Sequence, residues 1–234
     1  MTENIIIAID GPAGAGKSTV AKLIAEKLGL LYIDTGAMYR ALTLSVLRQQ
    51  IDLANETIVN EIMITKLAES LIIELPDSPA ENKVLLNGED VSEAIRNPEI
   101  SRNVAIIAKI PGVRKTMVNL QKALAKKGRV VMEGRDIGNK VLPGAGYKFF
   151  LTASAQERAQ RRYIELTNKG YQVDLNELVQ EITQRDYIDS TRKSDPLIPA
   201  KDAIIIDSTA MNLEQVLDFI LSTVYPEKIG GSCQ

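Results

Sequence analysis

An α/β fold with a central parallel sheet of five strands is predicted by three observations. A continuous β-branched run over 5–9 leads straight into a glycine-rich loop and then a helix-patterned stretch from Ser18. Four further short apolar runs, at 30–33, 130–132, 148–151 and 203–206, are separated by helical segments. Capping and stop residues punctuate those segments where helices should begin and end.

The elements follow in order. β-Branched side chains suit a strand, and burial on both faces explains why 5–9 does not alternate. Over 18–28, Val20, Leu23, Ile24 and Leu28 share a face while Lys22, Glu26 and Lys27 stay wet, and Gly29 is the stop. Segments 35–48 and 56–69 read as helices. An apolar run at 71–75 is bounded by Pro76, and Asn87-Gly88 between 83–86 and 89–91 signals a hairpin, because both residues tolerate positive φ. This stretch breaks the strand–helix rhythm, so about 40–100 reads partly as an insertion. The run 105–110 is apolar, and Pro111 opens a helix to about 127, where its missing N–H costs nothing. Ser154 with Glu157, and Asp174 with Glu177, cap two helices joined by a short loop at 168–171. A final helix is expected over 212–224 and a loose tail over 227–234.

Composition narrows the chemistry. The chain of 234 residues has 28 basic and 30 acidic side chains, no His, no Trp and one Cys, Cys233. There is no imidazole base, no Ser/His/Asp triad, no His-ligated zinc, no internal disulfide and no two-Cys redox motif. Carboxylates, Lys, Arg, hydroxyls, backbone groups and Mg²⁺ remain. A formal charge of −2 disfavours binding nucleic acid through bulk charge. No run approaches the ~20 apolar residues of a membrane span. A cytoplasmic protein with neither a nucleic-acid nor a membrane partner is expected.

Gly11-Pro12-Ala13-Gly14-Ala15-Gly16-Lys17-Ser18 matches G-x-x-x-x-G-K-[ST] between strand and helix. Glycines let backbone N–H groups turn toward phosphate oxygens, and the helix start, with Thr19 next in line, adds donors and dipole. Lys17 reaches the β/γ phosphates of a nucleoside triphosphate and the Ser18 hydroxyl ligates Mg²⁺. Asp10 has two readings, organising the metal's water or capping the strand turn. Glu133, after the strand at 130–132, holds metal water or accepts hydrogen bonds from a base or sugar. The N-K-x-D guanine signature is not matched by Asn168-Lys169-Gly170-Tyr171, and the size favours a small phosphotransferase.

Seven of twelve arginines lie in the second half of the chain. Arg158 and Arg162 are one helical turn apart; Arg185, Asp189 and Arg192 share a face. Two antiparallel helices would close these guanidinium groups over a transferred phosphoryl group as a lid. Ordinary i,i+4 ion pairs on a wet helix pair are the competing reading. Arg135 holds an acceptor phosphate or pairs locally with Asp136; Asp34 and Thr35 bind substrate or only cap a helix.

Together these residues resemble the bacterial cytidylate kinase family, within the nucleoside monophosphate kinases. The resemblance spans nearly the whole chain. It is carried by Ile9-Asp10 with the glycine-rich loop, Asp34-Thr35-Gly36-Ala37-Met38-Tyr39-Arg40, and Leu86-Asn87-Gly88-Glu89-Asp90-Val91. Pro111-Gly112-Val113-Arg114, Glu133-Gly134-Arg135-Asp136-Ile137-Gly138, Arg158 to Arg162, Arg185-Asp186 and Asp207-Ser208-Thr209 complete it. It implies a three-layer P-loop NTPase fold, with a core over 1–40, 100–156 and 193–226. A nucleoside-monophosphate-binding insertion over 41–99 and a helical lid over 157–192 are implied with it. It implies transfer of the ATP γ-phosphoryl group to CMP and dCMP, with Mg²⁺, by a monomer. The ATP site is Gly11, Pro12, Ala13, Gly14, Ala15, Gly16, Lys17, Ser18 and Thr19. Cytosine and ribose contacts fall on Thr35, Arg114, Asp136, Arg185 and Asp189, and acceptor-phosphate contacts on Arg40, with Arg135 and Arg192 nearby. Arg158 and Arg162 join Lys17 as catalytic groups. Two positions depart from the family pattern. Thr35 stands where Ser is common and keeps the hydroxyl; Ala105 stands where some members place a base-reading Ser.

Overall fold

The computed structural model describes residues 5–53, 57–76, 83–126 and 128–225. The expected helix limits at 56 and 127 and the expected loose tail lie outside them. In chain order the elements are β1 (Ile6–Asp10), α1 (Lys17–Leu28), β2 (Leu31–Asp34), α2 (Thr35–Arg48) and α3 (Ile58–Ser70). The small strands β3 (Ile73–Glu74), β4 (Leu85–Leu86) and β5 (Glu89–Asp90) follow. Then come α4 (Pro98–Ala108), α5 (Pro111–Ala125), β6 (Val130–Gly134), β7 (Tyr147–Thr152), α6 (Ala155–Asn168), α7 (Leu175–Thr191), β8 (Ile204–Asp207) and α8 (Leu213–Val224).

Five strands form a sheet in the order β2-β6-β1-β7-β8, every pairing parallel. Its two faces are packed separately. Ile7, Ile9, Val131, Phe149, Leu151 and Ile206 meet α1 and α8, including Ile24 and Ile220. Ala8, Ile33, Val130 and Met132 face the other way, against Val118 and Ala125 of α5. Successive residues of one strand serve opposite cores, which is why the β1 sequence shows no alternation. This three-layer arrangement is the P-loop fold expected above.

β3, β4 and β5 make a separate antiparallel sheet, with Asn87 and Gly88 at positive φ in its turn. It shares a core with α2, α3, α4 and α5, including Met38, Leu42, Leu86, Ile107 and Met117. α6 and α7 pack on each other through Ala159, Leu166, Leu178 and Ile182.

One helix was not anticipated. The apolar run at 105–110 lies mostly in α4, which starts at Pro98 after an Asn97 cap whose side chain accepts the Glu99 N–H at 2.9 Å. Asn-Pro before a polar first turn was the available signal. A wide helical turn at Ile137–Val141 also escaped the sequence reading.

Candidate active site

Register brings the strand ends level, with Asp10 opposite Gly134 and Asp34 opposite Glu133. The crevice at this carboxyl edge is where open α/β sheets bind ligands. The glycine-rich loop leaves β1 here. Gly11 has φ +148°, and a Cβ on it would lie 1.9 Å from the Leu151 carbonyl oxygen, so only glycine fits. Gly16 is left-handed and caps α1, its carbonyl accepting the Val20 N–H at 3.1 Å. Lys17 is buried and bends back to donate to the Pro12 carbonyl at 2.7 Å. Burial, with Arg135 beside it, lowers its amine to about 7. An arriving polyphosphate would restore its charge.

Of the two readings of the residues after β2, the helix cap is seen directly. Asp34 caps α2 by accepting the Ala37 N–H at 2.8 Å, and it also pairs with Arg40 at 2.8 Å. The buried Thr35 hydroxyl donates to the Glu133 carbonyl at 2.7 Å, tying β2 to β6 and leaving only its acceptor lone pairs for another group. Gly134 is forced by that proximity, since a Cβ there would sit 2.6 Å from Thr35 Oγ1 and 2.6 Å from Ile137 Cδ1.

Asp10 acts as a turn cap. Its carboxylate accepts the Ile137 N–H at 2.7 Å and the Gly138 N–H at 2.8 Å, the start of the wide turn after β6. Burial pushes it up to about 6 despite those donors. Glu133 accepts a hydrogen bond from Tyr32 at 2.6 Å and one from Ser18. Burial and the neighbouring Asp34 charge raise its carboxyl.

On the far side lies a connected set of guanidinium and carboxylate groups. The buried Arg114 pairs with Asp136. Asp136 also receives Arg192 at 3.4 Å, and burial still raises its carboxyl against both cations. Arg135 donates to Asp189 at 3.0 Å, so its carboxylate partner is not the local Asp136. Burial works to raise Asp189, but Arg135, Arg185 and Arg192 hold it below the ordinary carboxylate range. Arg185 is the under-partnered member. Its Nε is buried with no hydrogen-bond partner, and its nearest carboxylate, Asp189, is 4.0 Å away. Burial, with Arg135 next to it, lowers it to about 10. The Arg40 Nε is likewise buried without a hydrogen-bond partner. Two cations short of acceptors beside a third make a site suited to an anion.

The α6 arginines divide their tasks. Arg158 is buried and donates to the Ala13 carbonyl of the glycine-rich loop at 3.1 Å, to the Ala153 carbonyl at 2.8 Å, and in fork geometry to Asp186 at 3.1 and 2.5 Å. Arg162 instead donates to Glu165 at 2.7 Å and reaches the Ser101 hydroxyl at 3.5 Å, so its local ion pair follows the plainer reading. Arg161 is the neighbour of the loop on that side: its Nη1 lies 3.9 Å from where a Cβ on Gly16 would be, and it holds Ser208 through two hydrogen bonds. Asp186 and Asp195, which enter these networks, were not assigned roles from sequence. Nothing in their spacing marks them, because their partners come from distant elements.

The phosphate loop at the sheet edge, facing an arginine cluster under a helix pair, defines a P-loop phosphotransferase for two anionic substrates. The sequence model of the cytidylate kinase family matches residues 7–225. Cytidylate kinase of Desulforamulus reducens is 54% identical over 224 residues, covering 96% of this chain and 98% of that protein. The cytidylate kinases of Desulfitobacterium hafniense and of a Bacillus cereus strain are 50% and 49% identical, covering 95% and 96% of this chain and 93% and 97% of theirs. The chain belongs to the cytidylate kinase family. It is a nucleoside monophosphate kinase.

Proposed function

We propose that the protein transfers the γ-phosphoryl group of ATP to CMP and dCMP, giving ADP and CDP or dCDP, with donor and acceptor on opposite sides of Lys17. The observation carrying the acceptor side is the buried Nε of Arg185, which has no hydrogen-bond partner, beside Arg135 and Arg40. These three guanidinium groups surround the acceptor phosphate, with Arg192 close behind. Asp189 takes the ribose hydroxyls, and Thr35, Arg114 and Asp136 meet the cytosine edge, Arg185 lying between base and phosphate.

The acceptor phosphate is already anionic at neutral pH, so no general base is needed and the absence of His is no handicap. Catalysis is alignment plus stabilisation of charge spread over the transferred oxygens. N–H groups of 13–19 hold the donor phosphates, Lys17 bridges them, and Arg158 holds the loop through the Ala13 carbonyl. Arg162, now paired with Glu165, swings toward the phosphoryl group only if α6 and α7 close as a lid over 157–192.

The described residues hold no cluster of three His, Cys, Asp or Glu side chains placed for a metal. Mg²⁺ bound with a nucleotide keeps several waters and takes few protein ligands, so the exposed Ser18 hydroxyl with Glu133 hydrogen-bonded to it fits. Ser18 would hold the ion directly and Glu133 through water; Asp10 is occupied by two N–H groups. When bound, the ion neutralises phosphate charge. No helix among the described residues is long and apolar enough to cross a membrane. We place the enzyme in the cytoplasm as a monomer.

The test is direct product measurement with ATP, Mg²⁺ and each of CMP, dCMP, UMP, AMP and GMP. CMP and dCMP should react far faster than AMP or GMP. Equal rates on all five, or no turnover, overturn the assignment.

A further inference from the structure

Arg114 is 2% exposed and is held from three directions. Its Nη2 meets Asp136, its Nη1 reaches the Ala108 carbonyl at 3.3 Å, and its Nε donates to Asp195 Oδ2 at 3.1 Å. Asp195 lies past the end of α7, on the segment leading to β8. It is one of four non-glycine residues at positive φ among the described residues, at +48°. Asp tolerates that region better than most residues. The conformation is held because Arg192 Nε donates to the Asp195 carbonyl at 2.7 Å, and Lys140 lies 3.3 Å from its other carboxylate oxygen. Arg192 also reaches Asp136 at 3.4 Å. Asp136, Arg114, Asp195 and Arg192 therefore form a closed ring.

We infer that Asp195 is a positioning residue for acceptor-base recognition. By fixing the Nε edge of Arg114, it sets the rotation of the guanidinium plane and hence the direction of the remaining N–H groups beside Asp136. The ring also links that orientation to the end of α7, whose Arg185 and Asp189 serve the same acceptor. Without the Asp195 carboxylate, Arg114 keeps one charged partner and turns more freely about its long stem, so the base is met by a less ordered donor pair. The inference rests on the reading of Arg114 and Asp136 as the base-facing groups.

The experiment compares Asp195→Asn and Asp195→Gly, both compatible with positive φ, with Arg114→Lys. Steady-state kinetics are measured with CMP and UMP varied against saturating ATP, and with ATP varied. Each Asp195 variant should raise the CMP KM about fivefold to tenfold, less than the full loss of a charge-assisted hydrogen bond made to CMP itself, because Asp195 acts only through Arg114. The kcat at saturating CMP and the ATP KM should stay within about twofold, and the CMP-over-UMP preference should narrow. In an Arg114→Lys background, Asp195→Asn should add little, because the pair is already broken. If Arg114→Lys raises the CMP KM but both Asp195 variants leave it and the preference unchanged, the inference is wrong and the site reading stands. A lowered melting temperature with unchanged acceptor kinetics makes Asp195 merely structural and also overturns it. If Arg114→Lys itself leaves CMP kinetics unchanged, the base-facing reading fails and the inference falls with it.

Discussion

Replacing Asp186 with Asn separates the donor and acceptor tasks of α7. Asp186 and Asp189 are one turn apart, yet they serve different partners. Asp186 holds the Arg158 fork at 3.1 and 2.5 Å, and Arg158 in turn holds the Ala13 carbonyl of the phosphate loop at 3.1 Å. Asp189 faces Arg135 at 3.0 Å. In Asp186→Asn one carbonyl oxygen still accepts, but the amide NH₂ confronts a guanidinium N–H, so one charge-assisted hydrogen bond is lost and the other becomes neutral on the acceptor side. Each hydrogen bond to a charged group is worth about 1.5–3 kcal/mol. Arg158 is 4% exposed and keeps two carbonyl partners, which limits the damage to a total of about 2–4 kcal/mol. For a protein of this size that corresponds to a fall in melting temperature of about 4–16 °C. Differential scanning calorimetry supplies that number, and steady-state kinetics supply the split. The ATP KM should rise several-fold more than the CMP KM, because the loosened loop binds the donor. An unchanged melting temperature with an unchanged ATP KM, or a rise confined to the CMP KM, would refute the chain from Asp186 through Arg158 to Ala13.

Other outcomes follow from the same geometry. Lys17→Met should cut kcat by about 10²–10³ with every acceptor while sparing CMP binding, read by single-turnover kinetics and calorimetric titration. The same variant tests a linkage. With its amine lowered from 10.5 to about 7, Lys17 leaves the folded state holding fewer protons than the unfolded chain between those values. Its contribution to stability therefore rises with pH across that window and is lost as pH falls through 7, and urea titrations at pH 6.5 and 9 should show the slope shrink in Lys17→Met. Arg185→Ala or Asp136→Asn should raise the CMP KM about tenfold or more and leave the ATP KM nearly unchanged; equal effects on both substrates would argue against an acceptor role. Gly134→Ala should destabilise the protein by about 2 kcal/mol or more in chemical denaturation, because its Cβ would sit 2.6 Å from Thr35 Oγ1, and wild-type stability would show that the contact yields.

Local chemistry was enough for much of this molecule. The five core strands, the phosphate loop and the helices after Ser154 and Asp174 follow from side-chain branching, glycine spacing and capping residues. Each of those signals acts between residues a few positions apart, so a linear reading detects it. Asp34 illustrates the boundary: its capping of Ala37 is local and was one of two readings, and its pairing with Arg40 is only six residues away. α4 was missed because the short Asn-Pro signal sits in the segment where the strand–helix rhythm stops.

Tertiary structure decided who faces whom. Arg158 and Arg162 lie on one helical face in sequence, but Arg158 meets the phosphate loop 145 residues away while Arg162 pairs with its own helix. Asp10 could have served metal water or a turn; the closeness of Ile137 and Gly138, 127 and 128 residues on, gives its oxygens two N–H donors. Arg114 and Asp195 are joined across 81 residues. The sequence alone determined that this protein is a P-loop enzyme with arginines in place of a base, because the loop and the composition are properties of the chain itself. Which arginine holds which carboxylate, and which is left short of a partner for a substrate anion, depends on burial and on distances between strand ends. Those exist only once the parallel sheet brings remote segments to one edge.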